Sequence, residues 1–241
     1  MRTLREQCAL ISSGASTSLE LTTQAIERVR LRNAALNIVI REQFERALSR
    51  ARALDQLPAA ERGPLHGVPF TLKDAFRVKG TPTSYGLPGL PMVPAFESCL
   101  LVERLFNAGA VLLGQTNVPF SCFDWQTRSP MYGLTKNPSD PTLTVGGSSG
   151  GSAASVAAGF STFEIGSDLA GSIRYPAHAC GVFGLRPSHG FVPFDDIGPQ
   201  FAKKTFESSA VAGPLANTIE DLERPRRRKR ETRSGREAAD L

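Results

Sequence analysis

Three short segments of this 241-residue chain hold residue types that could do chemistry. Lys73 ends the apolar run VPFTL at 68–72. Gly146 to Ser152 read GGSSGGS ahead of a run of small residues, and Asp168 to Arg174 read DLAGSIR after a second apolar run. A serine hydroxyl becomes a nucleophile when a neighbouring base takes its proton, and a lysine can be that base where a dry site lowers its pKa. Each segment also has a plainer reading. A lone lysine is usually a solvated charge, and a Gly/Ser run is often a linker or a phosphate loop. Val145 before the run and SAASVAAG after it make a packed context rather than a flexible one. The run lacks the GxxxxGK[ST] pattern and follows an irregular stretch instead of a strand, so neither a Walker loop nor a dinucleotide fingerprint fits. His66, His178 and His189 leave a Ser/His/Asp triad open in principle, but no GxSxG elbow anchors one.

The elements that must position these residues alternate. Thr17 with Glu20 forms a capping box ahead of a helix over 18–30, LNIVI at 36–40 reads as a short buried strand, and 42–57 as an amphipathic helix stopped by Pro58. A strand at 68–72 delivers Lys73 and Asp74 at its C-terminal end, where α/β sheets keep their chemistry. The Pro/Gly-rich stretch 79–94 is loop, followed by a helix over 97–108 closed by Gly109 and a strand at 110–114. Residues 117–141 read as a long loop over a pocket, 149–158 as a helix, and STFEIGSD as a strand that ends at the turn LAGSIRYPA. VFGLRP is a further strand candidate, and the whole pattern is α/β.

Taken together, GVPFTLKD around Lys73, GGSSGGSAA around Ser148 and SDLAGSIRYPA around Ser172 resemble the amidase signature family, with QTNVP and GLRPSHG in their expected places. The likeness runs over about residues 17 to 222, and the 75 residues from Lys73 to Ser148 and 24 from there to Ser172 suit the family's triad. The resemblance implies a mixed central sheet flanked by helices and an amidase that cleaves a carboxamide C–N bond through an acyl-serine. It implies Ser172 as nucleophile, Ser148 in a cis peptide as the bridging serine and Lys73 as base. The backbone N–H groups of Leu169, Ala170, Gly171 and Ser172 are then the expected oxyanion hole, with Ser149, Asp168 and Arg174 in support. Ala170 stands where Gly is commonest in the family. No metal and no cofactor are implied, and His178, Cys180 and His189 are read as packing residues. The loop SCFDWQTRSPMYG is expected to line the acyl pocket, with Phe123, Trp125 and Met131 suggesting an apolar or aromatic acyl group.

The family-like text stops near Glu223, and the family's later portion is missing by this reading. This gives an amidase domain over 1–223 and a basic, solvated non-family tail over 224–241. The formal charge of +5 resides in that tail, where eight bases face three acids, so the body is neutral and the high pI is silent about the substrate. A truncated or frame-shifted product explains the switch more simply than a designed basic domain. Two alternatives remain: the A-type subunit of a glutamyl-tRNA amidotransferase, and an inactive fragment whose RPRRRKR run binds nucleic acid or an import factor. The expected partner is a small-molecule amide; nucleic acid and membrane are not expected, and a homo-oligomer is left open. Cys8, Cys99, Cys122 and Cys180 lie far apart without metal or disulfide spacing, and no apolar run approaches a membrane span, so a cytoplasmic setting is the expectation.

Overall fold

A computed structural model describes residues 2–194 and 209–223; the basic segment 224–241 and the binding role read into it lie outside the described residues. The chain opens with α1 (Leu4–Ser12), for which the sequence reading gives no element although Thr3 and Glu6 form a capping box at its start. The Thr17–Glu20 box starts α2 (Ser18–Leu36), which runs on past residue 30 because RLRNAAL holds no breaker, and ends where Asn37 turns left-handed with φ 52°. Leu36 is therefore helical, and the first strand, β1 (Val39–Glu42), begins three residues later than expected. Then come α3 (Phe44–Asp55), β2 (Pro69–Lys73), α4 (Leu100–Asn107) and β3 (Val111–Thr116). The expected loop at 117–141 contains a small hairpin, β4 (Arg128–Ser129) with β5 (Gly133–Leu134). The chemistry-bearing half follows as α5 (Gly150–Ala158), β6 (Phe163–Asp168), α6 (Arg174–Cys180), β7 (Phe183–Gly184), β8 (Val211–Ala216) and α7 (Ile219–Glu223).

Helix α6 corrects the turn expected over LAGSIRYPA. Pro176 argues against a helix in the sequence, but it falls in the first turn, where no backbone N–H has an intrahelical acceptor to lose. The six-stranded sheet has the order β1-β3-β2-β6-β8-β7: β3, β2 and β6 are parallel, while β1, β8 and β7 run antiparallel to their neighbours. From β2 the chain passes to β3 on one side and later to β6 on the other, so the C-terminal ends of β2 and β6 meet where the winding reverses. One apolar core joins α2, α3, α5 and α6 to one face of the sheet. The other face packs on α1, α4 and α7, centred on Phe70 stacked against Phe163 at 5.4 Å. No helix among the described residues is long and apolar enough to cross a membrane.

Candidate active site

Lys73 is the last residue of β2 and has no solvent exposure. Its Nζ lies 2.8 Å from Ser148 Oγ, 2.9 Å from Ser149 Oγ and 2.8 Å from Ser167 Oγ. An ammonium in this cage would donate to all three hydroxyls; a neutral amine would donate to two and accept a proton through the third. Burial pushes the Lys73 pKa down, and the nearby Cys122, Asp168 and Glu164 oppose that only in part. Desolvation thus favours the neutral amine, the form that can act as a base.

The chain enters α5 through the cis Gly147–Ser148 peptide, and both serines at that corner reach the lysine. Gly147 is required here by close approach, since a Cβ on it would fall 2.4 Å from the carbonyl oxygen of Asp124. Ser149 ties the site's parts together: its Oγ donates to the Ser167 carbonyl at 3.1 Å and its N–H to the Ser172 carbonyl at 3.1 Å. Gly166 lies against it, and a Cβ there would press on Ser149 Oγ at 2.8 Å.

Ser172 lies on the turn after β6, half-buried, in the wall of a cavity of about 370 Å³ that Ser148 and Ser167 also line. Among the described residues no hydrogen bond joins the Ser172 and Ser148 hydroxyls, so the lysine–Ser148 leg of the expected relay is formed and the Ser148–Ser172 leg is an approach across the cavity. Catalytic contacts of this kind commonly tighten only when substrate binds.

Asp168 holds the turn. Its carboxylate accepts the N–H of Gly171 at 2.9 Å, Ile173 at 3.1 Å and Arg174 at 3.3 Å, and the Arg174 guanidinium grips it at 3.0 and 2.9 Å. The expected oxyanion set is corrected in one member, because the Gly171 N–H is committed to Asp168 and does not face the cavity freely; Leu169, Ala170 and Ser172 remain. Burial alone would raise the Asp168 carboxyl, but the bonds from Arg174 and the turn's N–H groups outweigh it and hold it at about 2. A carboxyl depressed in the folded state contributes stability above its unfolded pKa of about 3.9 and loses it as pH falls toward 2. Asp168→Asn is therefore expected to destabilise the chain by roughly 2 kcal/mol at neutral pH, a modest figure because the Arg174 side chain is 55% exposed. Thermal melts check this: the gap between wild type and variant should close as pH drops from about 4 to about 2.

Asp74, delivered with Lys73, serves structure instead. It pairs with Arg41 at 3.1 Å and accepts from the Ser84 hydroxyl, fixing the next loop. His66 is buried away from the cavity, while His178 and His189 are exposed, so neither of the latter is the packing residue expected; Cys180 is buried.

The sequence reading missed Ser167, which completes the lysine's cage, and Tyr85 and Ala75, which line the cavity. Ser167 opens the motif SDLAGSIRYPA, one residue before Asp168, and that position is the signal by which it could have been found. Burial pushes the Cys122 thiol up to about 11, so it stays protonated and is a poor rival nucleophile. Tyr85, Ser121 and Cys122 all have left-handed φ, three of the four non-glycine residues in that region among those described, and all three line the cavity. Such strain tends to gather at functional sites. Of the loop expected to line the pocket, Ser121 to Trp125 do so, and Met131 does not. The described residues contain no group of three or more His, Cys, Asp or Glu side chains placed to hold a metal ion.

A protein-family model described as Amidase matches residues 20–227. The chain is 37% identical over 220 residues to an indoleacetamide hydrolase of Bradyrhizobium diazoefficiens, covering 90% of this chain and 42% of that protein. It is 39% identical over 219 residues to the A-type subunit of a glutamyl-tRNA(Gln) amidotransferase from a Synechococcus species, covering 86% and 45%. Among solved structures it superposes on native peptide amidase from Stenotrophomonas maltophilia with TM-score 0.84 at 33% identity, over 91% of this chain and 46% of that one. The chain thus spans less than half the length of these relatives.

Proposed function

Because the chain belongs to the amidase signature family, we propose that it hydrolyses the C–N bond of a carboxamide through an acyl-serine at Ser172. The observation that carries this reading is a fully buried lysine 2.8 Å from Ser148 beneath a cavity that Ser172 lines. Ser172 Oγ attacks the amide carbonyl carbon and gives its proton to Ser148 Oγ, whose own proton passes to neutral Lys73. The oxyanion is met by N–H groups of the turn that Asp168 fixes, among Leu169, Ala170 and Ser172. Donors set in advance to where charge develops are commonly the largest contribution to such catalysis. The relay then runs in reverse to protonate the leaving amine, and water attacks the acyl ester by the same route. Ser149, Ser167, Asp168 and Arg174 position these groups. The reactant partner is a small-molecule amide.

The cavity favours an uncharged acyl group. Phe123, Trp125, Leu169 and Phe194 make its wall, and Asp124 is the one charged side chain among the described lining residues. No cation among them meets a substrate carboxylate, and the indoleacetamide hydrolase likeness points the same way. The amidotransferase reading has its own support in the Synechococcus relative, but glutamine brings a charged α-carboxylate and ammonium to this wall. Ammonia release from an arylacetamide and from glutamine separates the two. The arylacetamide is expected to be preferred in kcat/KM by about 100-fold, the worth of roughly 3 kcal/mol of matched apolar burial. Equal rates, or preference for glutamine, would favour the amidotransferase reading.

A further inference from the structure

Next to the apolar core it shares with α5, the sheet carries a buried polar patch on that same face, whereas its opposite face is apolar there. Thr71, Lys73, Glu164 and Thr116 point toward Ser149, Ser152 and Ser155 of the segment carrying α5. Within this layer Glu164, the second residue of β6 and opposite Thr71, is fully buried and has no part in the relay. Its Oε1 accepts from Thr116 Oγ1 at 2.6 Å, and Thr116 Oγ1 lies 3.4 Å from Ser152 Oγ. Its Oε2 is buried without a well-aligned partner, although the Ser152 and Thr71 hydroxyls are near enough to favour the charged form.

A carboxylate here would be costly, since burial away from water penalises the charge and an apolar side chain would fill the space at no such cost. It would also place a negative charge by Lys73 and stabilise the ammonium, which is useless as a base. A protonated carboxyl does the opposite: one oxygen accepts from Thr116 while the other carries an O–H that can donate into the hydroxyl layer. We propose that Glu164 is a positioning residue for acylation, a neutral carboxylic acid that clamps β3 to α5 and so holds the Ser148–Ser149 corner against an uncharged Lys73. This rests on the reading of Ser172, Ser148 and Lys73 given above. Among the described residues the elements around Glu164 supply one charged neighbour, Lys73; α5, β3 and β8 present serines, threonine, glutamine and small or apolar residues. Burial pushes the Glu164 carboxyl up to about 8, which agrees with a neutral acid.

Two measurements on the full 241-residue chain test this. The infrared spectrum of wild type minus Glu164→Gln, taken at about pH 6 where a group of pKa about 8 is protonated, should contain a carboxylic C=O band; its absence overturns the proposal. The rate of fluorophosphonate labelling at Ser172 should fall roughly 10- to 100-fold in Glu164→Leu, the scale of a small misplacement of reacting groups, with probe affinity unchanged. Glu164→Gln, which keeps an acceptor toward Thr116 and a donor toward the hydroxyls, should retain most of the rate. Labelling of Glu164→Leu at the wild-type rate, or a Glu164→Gln as slow as Glu164→Leu, overturns the proposal. Should Glu164→Leu fail to fold, Thr116→Val removes the hydroxyl on Oε1 at similar volume and is expected to slow labelling in the same direction; no slowing overturns the clamp. A wild-type chain that is not labelled at Ser172 instead defeats the reading of the site itself, and the catalytic part of this proposal with it.

Discussion

Ser172→Ala is expected to lower amide hydrolysis by about 10⁵-fold or more, the scale seen when a covalent nucleophile is removed from a hydrolase of this type. No other group among the described cavity residues is placed to take over. Ser148 spends its hydroxyl on Lys73, and the Cys122 thiol, raised to about 11, is protonated at neutral pH. The variant should fold as wild type does, because the contacts that hold the turn come from Asp168 and from the Ser172 carbonyl, not from its side chain. Steady-state ammonia release checks the rate, and a melting curve checks that the loss is chemical.

Lys73→Met is expected to cost about 10⁴-fold, and the Lys73→Met/Ser172→Ala double variant no more than Ser172→Ala alone, since members of one relay do not contribute additively. Methionine roughly preserves the volume of the lysine stem and spares the chain a buried amine. Three serine hydroxyls lose their partner in exchange, so the melting temperature should change little. The wild-type pH profile has a definite sign. In the proposed relay activity requires the neutral amine, whose fraction rises with pH, so kcat/KM should climb as pH rises toward the lysine's folded pKa and level off above it. Because burial lowers that pKa, the climb should come well below the 10.5 of an ordinary lysine. A rise centred on that ordinary value would mean that Lys73 is not the desolvated base.

Features that depend on near neighbours along the chain are legible in the sequence itself. The Thr17–Glu20 capping box, the strand that ends in Lys73 and the small-residue helix after Ser149 follow from local pattern, and each is present. The same kind of signal, Thr3 with Glu6, marks the start of α1 and is equally local. Strand β8 escaped notice because Gly213 and Pro214 interrupt it; Pro214 fits by giving its carbonyl, not an N–H, to Leu185. The three triad positions were legible as family motifs, yet the lysine's third contact, Ser167, and the commitment of the Gly171 N–H to Asp168 were not. Both depend on how the end of β6 meets residues distant in the chain. Glu164 was invisible for the same reason: in sequence it is one polar residue in a strand, and its surroundings are made by Thr116 and Ser152, 48 and 12 positions away.

Mapping the adduct left by a fluorophosphonate probe on the 241-residue chain tests the central claim most directly. Mass spectrometry of the digested protein should place the phosphonyl group on Ser172, with labelling lost in Lys73→Met. An adduct on Ser148 or Cys122 in place of Ser172, or labelling that persists unchanged without Lys73, would contradict it.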